Sequence, residues 1–444
     1  MKSYNYNFIF FLISILSFQG CGKNDDFPAI EDVIDLKITN FETSYNEVKI
    51  SWDLDRFNDK VIIENVFILR YSDDTDSNTF GPNEIAVLPS NQTSYIDRNV
   101  PYLSDVTYSI RIDYFVDYEN GVEYASIESD KKSFERDIIK FSSIPRHVIT
   151  DNSNPDSYHI MIIDQNLALY NYNTKTLKID ANKSFSGGYD FYDKIVVNQN
   201  NIFLGKRNGV IYELSPNDYT EKRMFSLPID NELRYFGFRE EEIFFSDDER
   251  LKYFNTMTND FGYVIEDLSL SYAYSINLGN NRMFMIWYQY PNFGGRIFDV
   301  SNYDQLEMIH RTDFPIDFGS RLDKGILHFN EDNSEFVSTN LGRVISIDDL
   351  SLKVELKNIT GKNYLYFNYK RGKLYGAVQG ERKIHVFDDE TYELLDTIET
   401  KLFPIFPLVS SDGKIQVIGS YRQIYYSDYI DGFQYSGNFA IESM

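Results

Sequence analysis

One pattern recurs seven times between residue 140 and the C-terminus: an apolar or aromatic strand, a polar turn, then a second strand. It reads LALYNYNTKTLKI from Leu167, GVIYELSPNDYTEKRMF from Gly209, RLKYFNTMTNDFGYVI from Arg250 and GRIFDVSNYDQLEMI from Gly295. It continues as GRVISIDDLSLKVEL from Gly342, RKIHVFDDETYELLDTI from Arg382 and RQIYYSDYIDGFQYS from Arg422. Aligning the units makes Tyr170, Tyr212, Tyr253, Phe298, Ile345, His385 and Tyr425 equivalent, at spacings of 42, 41, 45, 47, 40 and 40 residues.

A chain with this period cannot bury its strands one unit at a time, so the units must pack against each other. Units of this length, made of short strands and Asp/Asn/Gly turns, suit four-stranded blades closed into a ring, which protects the sheet edges. A solenoid would need capped ends, and the units lack helical periodicity. The expected fold over residues 140–444 is therefore an all-β, seven-bladed β-propeller; sharing of first and last strands to close the ring would change the count by one. Three linkers, Leu227-Pro228-Ile229-Asp230, Phe314-Pro315-Ile316-Asp317 and Phe403-Pro404-Ile405-Phe406, place proline 16, 17 and 19 residues after the anchor. Proline fixes φ and removes a donor, as suits a segment leaving an outer strand for the next inner one.

Residues 33–137 have a different rhythm. Glu47-Val48-Lys49-Ile50-Ser51-Trp52 and Thr107–Tyr114 alternate apolar and polar, the period of half-buried strands. Asn120-Gly121, between two such runs, signals a hairpin. This segment resembles a fibronectin type III domain: Trp52 stands where that family keeps a core Trp, TSYIDRNV from Thr93 looks like its fifth strand and turn, and Tyr108 matches its corner tyrosine. The resemblance implies a small sandwich in which Trp52 and Tyr108 are core residues, with the Tyr108 hydroxyl bonding back to the chain. The Asp-rich turn at 73–78 spaces Asp74, Asp76 and Asn78 like a calcium loop. Thr79 replaces the required Gly, however, and Ile85 stands where a closing Glu belongs, so a solvated turn is expected.

The N-terminus reads MKSYNYNFIFFLISILSFQGCGKNDD. Lys2 precedes an apolar run, Phe8–Phe18, too short to span a bilayer as a helix. Gly20 then precedes Cys21, the only cysteine of the chain. Residues 1–20 resemble a bacterial lipoprotein signal peptide, although Phe18 and Gln19 depart from the commonest residues there. That resemblance implies a lipid on Cys21, with several acyl chains giving a stable anchor. The following 21–32, with Asp25 and Asp26, resemble the acidic tether of Bacteroidota-type surface lipoproteins. This implies an outer-membrane location facing the cell exterior.

With a single cysteine no intramolecular disulfide can form, and the core alone must hold the fold. Aromatics make up 16% of the chain, enough apolar area for two domains. The formal charge of -25 argues against nucleic acid and other polyanions.

The sequence supplies no catalytic signature. Two tryptophans cannot make the per-blade docking motif of quinoprotein propellers, and sialidase boxes do not occur. The one WD dipeptide, Trp52-Asp53, lies outside the repeat, and the glycine pairs at Gly187-Gly188 and Gly294-Gly295 do not recur blade by blade as kelch repeats require. His147, His159, His310, His328 and His385 show no metal-ligand spacing, so no metal or other cofactor is expected. His385, at an anchor position, reads as a satisfied core residue. The 68 Asp and Glu can always supply a carboxylate pair, which keeps a glycan-degrading enzyme as a third reading.

The best binding candidate is MIWYQYPNFGG, from Met285 to Gly295, just before the fourth anchor. Trp287, Tyr288, Tyr290 and Phe293 offer flat aromatic surface there, with Tyr290 and Phe293 expected to be exposed and Trp287 expected to pack between blades. Phe314, Tyr364, Tyr366 and Phe406, in or near linkers, join them as candidates for one face. Such surfaces serve as protein-interface anchors or stack on sugar rings. The expectation is thus a non-enzymatic, lipid-anchored protein whose propeller binds a membrane-protein complex, a β-barrel assembly in particular. A neutral glycan is the alternative ligand.

Overall fold

The structure is a computed structural model. It describes residues 34–444 apart from 57–58, 73–81, 119–120, 151–152, 164–165, 186–193, 199–200, 234, 248–250, 266–270, 280–281, 290–291, 300, 302–306, 315–326 and 426–438. Within them the chain divides into two compact units. One takes in 34–72, 82–100 and 106–134, the other 101–105 and 135–444. Cys21 and the loop at 73–78 lie outside the described residues.

The first unit is a two-sheet antiparallel sandwich. Ile34–Thr43, Val48–Arg56 and Ser94–Asp97 form one sheet. Asn83–Leu88, Val61–Tyr71, Asp105–Tyr118 and Gly121–Glu128 form the other, in that order, and Lys132–Glu135 also pairs with Asp105–Tyr118. The alternation read in the sequence is the alternation of burial: Val48, Ile50 and Trp52 face inward, as do Ile110, Ile112 and Tyr114. Tyr108 is fully buried, but its hydroxyl donates to a side chain rather than to the backbone. Its acceptor is Asp97 Oδ2, at 2.8 Å. Arg70 Nη1 donates to the same oxygen at 2.8 Å, and the Asn99 N–H donates to Asp97 Oδ1. A carboxylate so held is a stronger acceptor than a carbonyl. Burial first, and then the Asp97 charge, push the Tyr108 hydroxyl's pKa far above the ordinary tyrosine value.

The second unit is a seven-bladed β-propeller. Blade 1 comprises Pro145–Thr150, Ser157–Ile163, Leu167–Asn173 and Lys178–Phe185; blade 2 comprises Lys194–Asn198, Asn201–Gly205, Val210–Leu214 and Glu221–Ser226. Blade 3 comprises Tyr235–Arg239, Glu242–Ser246, Leu251–Asn255 and Phe261–Ile265; blade 4 comprises Ser271–Gly279, Arg282–Gln289, Asn292–Asp299 and Glu307–Phe314. Blade 5 comprises Leu327–Phe329, Glu335–Ser338, Arg343–Ser346 and Leu352–Glu355; blade 6 comprises Tyr364–Tyr369, Lys373–Val378, Lys383–Asp388 and Leu394–Glu399. Blade 7 takes Phe403–Val409, Ile415–Ser420 and Phe439–Ser443 from the end of the chain, and Lys140–Phe141 from before blade 1 completes it. Phe439 pairs with Phe141 and Ala440 with Lys140, so strands from the two ends of the propeller sequence share blade 7 and the count stays at seven. First strands of neighbouring blades touch one another, which places them innermost.

Each blade is a meander with apolar side chains on both faces, and the core lies between blades. Met161, Leu167 and Leu169 of blade 1 pack on Ile195, Ile202 and Leu204 of blade 2. Phe203 and Ile211 of blade 2 pack on Phe236, Ile243 and Phe245 of blade 3. Val337 and Val344 of blade 5 meet Tyr364, Phe367 and Leu374 of blade 6. Gly205 admits the Phe236 ring: a β-carbon there would run into it.

The polar turn of the repeat has a common physical basis. Asn173, Asn255 and Asp388 end third strands, and each side chain accepts the N–H groups two and three residues on. Four residues on, Leu177, Asn259 and Tyr392 adopt positive φ and donate back to the carbonyl of the turn's first residue. Tyr219 closes the turn of blade 2 in the same way, and Leu350 has the same φ in blade 5. A left-handed Leu or Tyr costs about 1–2 kcal/mol. Tyr219, Leu350 and Tyr392 are buried there, and burial of a large apolar side chain is worth about 1.5–3 kcal/mol, enough to offset the cost.

Six of the seven aligned anchors lie in third strands, drifting by one or two residues against this turn. Tyr425 does not. It follows the second strand of blade 7 and is exposed, and the third strand begins only at Phe439. The pattern at Arg422 mimics a third strand by composition, but the segment that pairs with Ile415–Ser420 is Phe439–Ser443. Pro404 likewise lies inside the first strand of blade 7, at a register shift, whereas Pro228 lies between strands as expected. One short helix, Leu356–Thr360, links blades 5 and 6 and ends at Gly361, whose φ is 70°.

Candidate functional site

Strand direction sorts the connections of the propeller into two ends. Successive antiparallel strands put the second-to-third turns and the fourth-to-first linkers at one end, and the first-to-second and third-to-fourth turns at the other. MIWYQYPNFGG occupies the second-to-third connection of blade 4. Trp287 pairs with Gly294, Tyr288 with Phe293, and Gln289 with Asn292. Phe293 pairs in turn with Phe314, the last residue of the fourth strand. Tyr288, Phe293 and Phe314 therefore form one row across three strands, and Trp287 lies in the adjacent row. Tyr290 lies outside the described residues.

Tyr364, Tyr366 and Phe406 belong to inner strands, and two of them must be corrected as surface candidates. Tyr364 opens the first strand of blade 6 and is 0% exposed. Its hydroxyl lies 2.9 Å from His385 Nδ1 and 2.7 Å from Thr360 Oγ1, and its ring packs on Phe367 and Phe387. Phe406 of blade 7 is also 0% exposed, in the core cluster with Val148, Ile160 and Ile418. Both sit where inner strands converge, and there an aromatic ring fills space between blades. Burial lowers the His385 pKa, so the imidazole is a neutral, hydrogen-bonded core group.

Tyr366 is half-buried and joins four blades. Its ring centroid lies 4.3 Å from that of Phe406 and 3.8 Å from that of His328 in blade 5. Its hydroxyl donates to the Val148 carbonyl of blade 1 at 3.0 Å. His328 is buried, and desolvation lowers its pKa to about 3, so it is uncharged at neutral pH. No local pattern places His328 beside Tyr366, because contact between inner strands depends on ring closure.

The same closure gathers groups that no motif marks. Tyr158, in the second strand of blade 1, donates from its hydroxyl to the Val409 carbonyl at 3.0 Å and accepts the Val409 N–H at 3.1 Å. Asn368 of blade 6 donates to that hydroxyl and to the Pro407 carbonyl. The Asp156 carboxylate accepts from the Ser411 N–H and hydroxyl of blade 7 and pairs with Lys175 at 2.8 Å. On blade 3, buried Lys252 reaches Asp247 at 2.6 Å, Asp230 at 2.9 Å and the Pro228 carbonyl. Burial alone lowers its pKa, but the two carboxylates outweigh this and the net shift is upward. Tyr158, Asp156 and Lys252 are each paired with their neighbours, whereas Asp247 Oδ1 is buried without a hydrogen-bond partner among the described residues. Among the described residues no His, Cys, Asp and Glu cluster has metal-site geometry.

Fold and site together define an all-β protein: a small sandwich and a closed seven-bladed propeller that carries an aromatic row at the second-to-third turn of blade 4. No family model matches the chain, and no curated protein matches its sequence. Among solved structures it is similar to the β-propeller domain of Cps50 (Swd1) from Myceliophteria thermophila. That match has 8% identity and a TM-score of 0.48, and covers 69% of this chain and 99% of the other. The seven sheets described above carry the fold assignment.

Proposed function

We propose that the protein is a non-enzymatic lipoprotein, anchored in the outer membrane through lipid on Cys21 and facing the cell exterior. Its propeller binds a protein partner, as an accessory subunit of an outer-membrane β-barrel complex. The observation that carries the binding reading is the row Tyr288–Phe293–Phe314, beside Trp287, at the end where second-to-third turns and inter-blade linkers gather. Closed propellers commonly bind proteins, and aromatic side chains anchor such interfaces. The Cys21 context supports the anchor. Tethering would raise the effective concentration of the propeller near other membrane components without adding a contact.

The test is extraction of membranes in mild detergent with a C-terminal tag on the chain. A stoichiometric membrane protein should co-purify, and Cys21→Ser should move the chain out of the membrane fraction. A solitary chain would overturn the partner reading. The same aromatic row favours a second reading, a neutral glycan as ligand. On that reading Trp287→Ala or Tyr290→Ala should abolish retention on immobilised polysaccharide while the fold persists. Unchanged retention would remove it.

A further inference from the structure

The outward face of the larger sandwich sheet is not the polar surface that a solvated strand face presents. Register sets Ile62 opposite Phe115 and Phe115 opposite Tyr124, one row across three strands, and Val122 lies beside it opposite Asp117. Tyr124 is 71% exposed, Val122 48% and Ile62 46%, and the Phe115 and Tyr124 rings touch, with centroids 5.7 Å apart. The inward residues Val61, Ile63, Tyr114 and Val116 are buried, so the fold does not need the outer row for its core. Farther along the same face the Arg111 guanidinium covers the Phe67 ring at 4.3 Å and pairs with Glu84 and Asp113. A contiguous exposed apolar patch with a polar rim marks an interaction site.

The rim selects the occupant. The rim is acidic on balance: Glu64, Glu84, Asp113 and Asp117 stand against Arg111, which pairs with Glu84 and Asp113, and Lys60, which lies beside Asp117, in a chain of formal charge -25. A twofold contact between two copies would bring like charges together, and the anionic surface of a bilayer would repel the same carboxylates. We infer that this face docks a partner protein presenting an apolar patch ringed by Lys and Arg. The site is separate from the propeller row and does not depend on it.

The experiment places a photo-cross-linking phenylalanine analogue at position 124 of the full, lipid-anchored chain in its native cells, and identifies the adduct by mass spectrometry. The expected result is one protein adduct. With that protein purified, Tyr124→Ser and Val122→Ser should each weaken binding by about tenfold or more at unchanged melting temperature. Raising salt from about 0.05 to about 0.5 M should weaken binding of the parent as well. No adduct, an adduct with lipid or a second copy, or a complex indifferent to both salt and the two substitutions would overturn the proposal. Trp287→Ala serves as the control: it should leave the position-124 adduct intact even if the propeller reading fails.

Discussion

Tyr158 shows how much of the ring rests on single polar atoms. Its hydroxyl satisfies both the N–H and the carbonyl of Val409 and accepts from Asn368, all in a buried setting. Tyr158→Phe keeps the ring and strands these groups, which should cost about 1–3 kcal/mol. Denaturant unfolding of the two proteins measures it, and equal midpoints would show that water replaces the hydroxyl. Lys252→Met is the harsher change. It leaves the buried Asp247 carboxylate without its cation, and breaking such a pair typically costs about 3–5 kcal/mol. Neither network was legible beforehand. Tyr158 reads as an ordinary strand aromatic, and its partners are some 210 and 251 residues away. Local alternation shows that a side chain turns inward but not which blade it meets. The same holds for Tyr364 and Phe406: their surroundings read as linkers on an exposed face, yet both lie in inner strands and are buried between blades. His385 was legible as a core residue because its anchor position is otherwise apolar or aromatic.

At the scale of the strand and turn, the repeat period was readable because several blades reuse one device, a left-handed residue in the turn after the third strand, joined in blades 1, 3 and 6 by a polar residue capping two N–H groups. In blades 1, 2, 3, 5 and 6, where that left-handed residue is present, the aligned units fall on third strands. At Arg422 the alignment fails: Tyr425 follows the second strand of blade 7 instead of lying in its third. Asp156 is an element-level contact, fastening the turn before the second strand of blade 1 to Ser411 of blade 7. Burial raises its pKa, but Lys175 and Ser411 outweigh burial, and the net pKa is lowered below the ordinary value of 3.8. Folding therefore favours the carboxylate. The stabilisation is full above about pH 4, where an unfolded Asp is ionised, and is lost as pH falls through the lowered folded value. Denaturation midpoints of the parent and of Asp156→Asn should thus lie farthest apart above about pH 4 and converge in stronger acid. A gap independent of pH would show that the contact does not depend on charge.

For the whole propeller, the decisive contact is the shortest. Lys140–Phe141 contributes two residues to blade 7, yet Phe141 is buried in the cluster that also holds Val148, Tyr158, Phe406 and Phe439. It packs edge-on against Tyr170 at 5.4 Å, and the Ile441 N–H donates to the Ile139 carbonyl at 2.9 Å. The closing strand thus gains its stability from packing rather than from ladder length. It also joins residues at opposite ends of the propeller sequence, a non-local pairing that pays its loop-closure entropy before any contact repays it. Phe141→Ala should therefore cost about 3–5 kcal/mol, as for a large buried aromatic, far more than a two-residue strand would suggest. Removing the ladder bond alone, by disfavouring the strand at Lys140 with Lys140→Pro, should cost less, because Phe141 retains its pocket. Hydrogen exchange then distinguishes two mechanisms of closure. If packing closes the ring, Phe141→Ala should deprotect the amides of Phe439–Ser443 and of the Tyr158–Val409 contact together. Deprotection confined to Phe439–Ser443 would mean that blade 7 frays alone and that Tyr158 and Asp156 hold the ring without the closing strand.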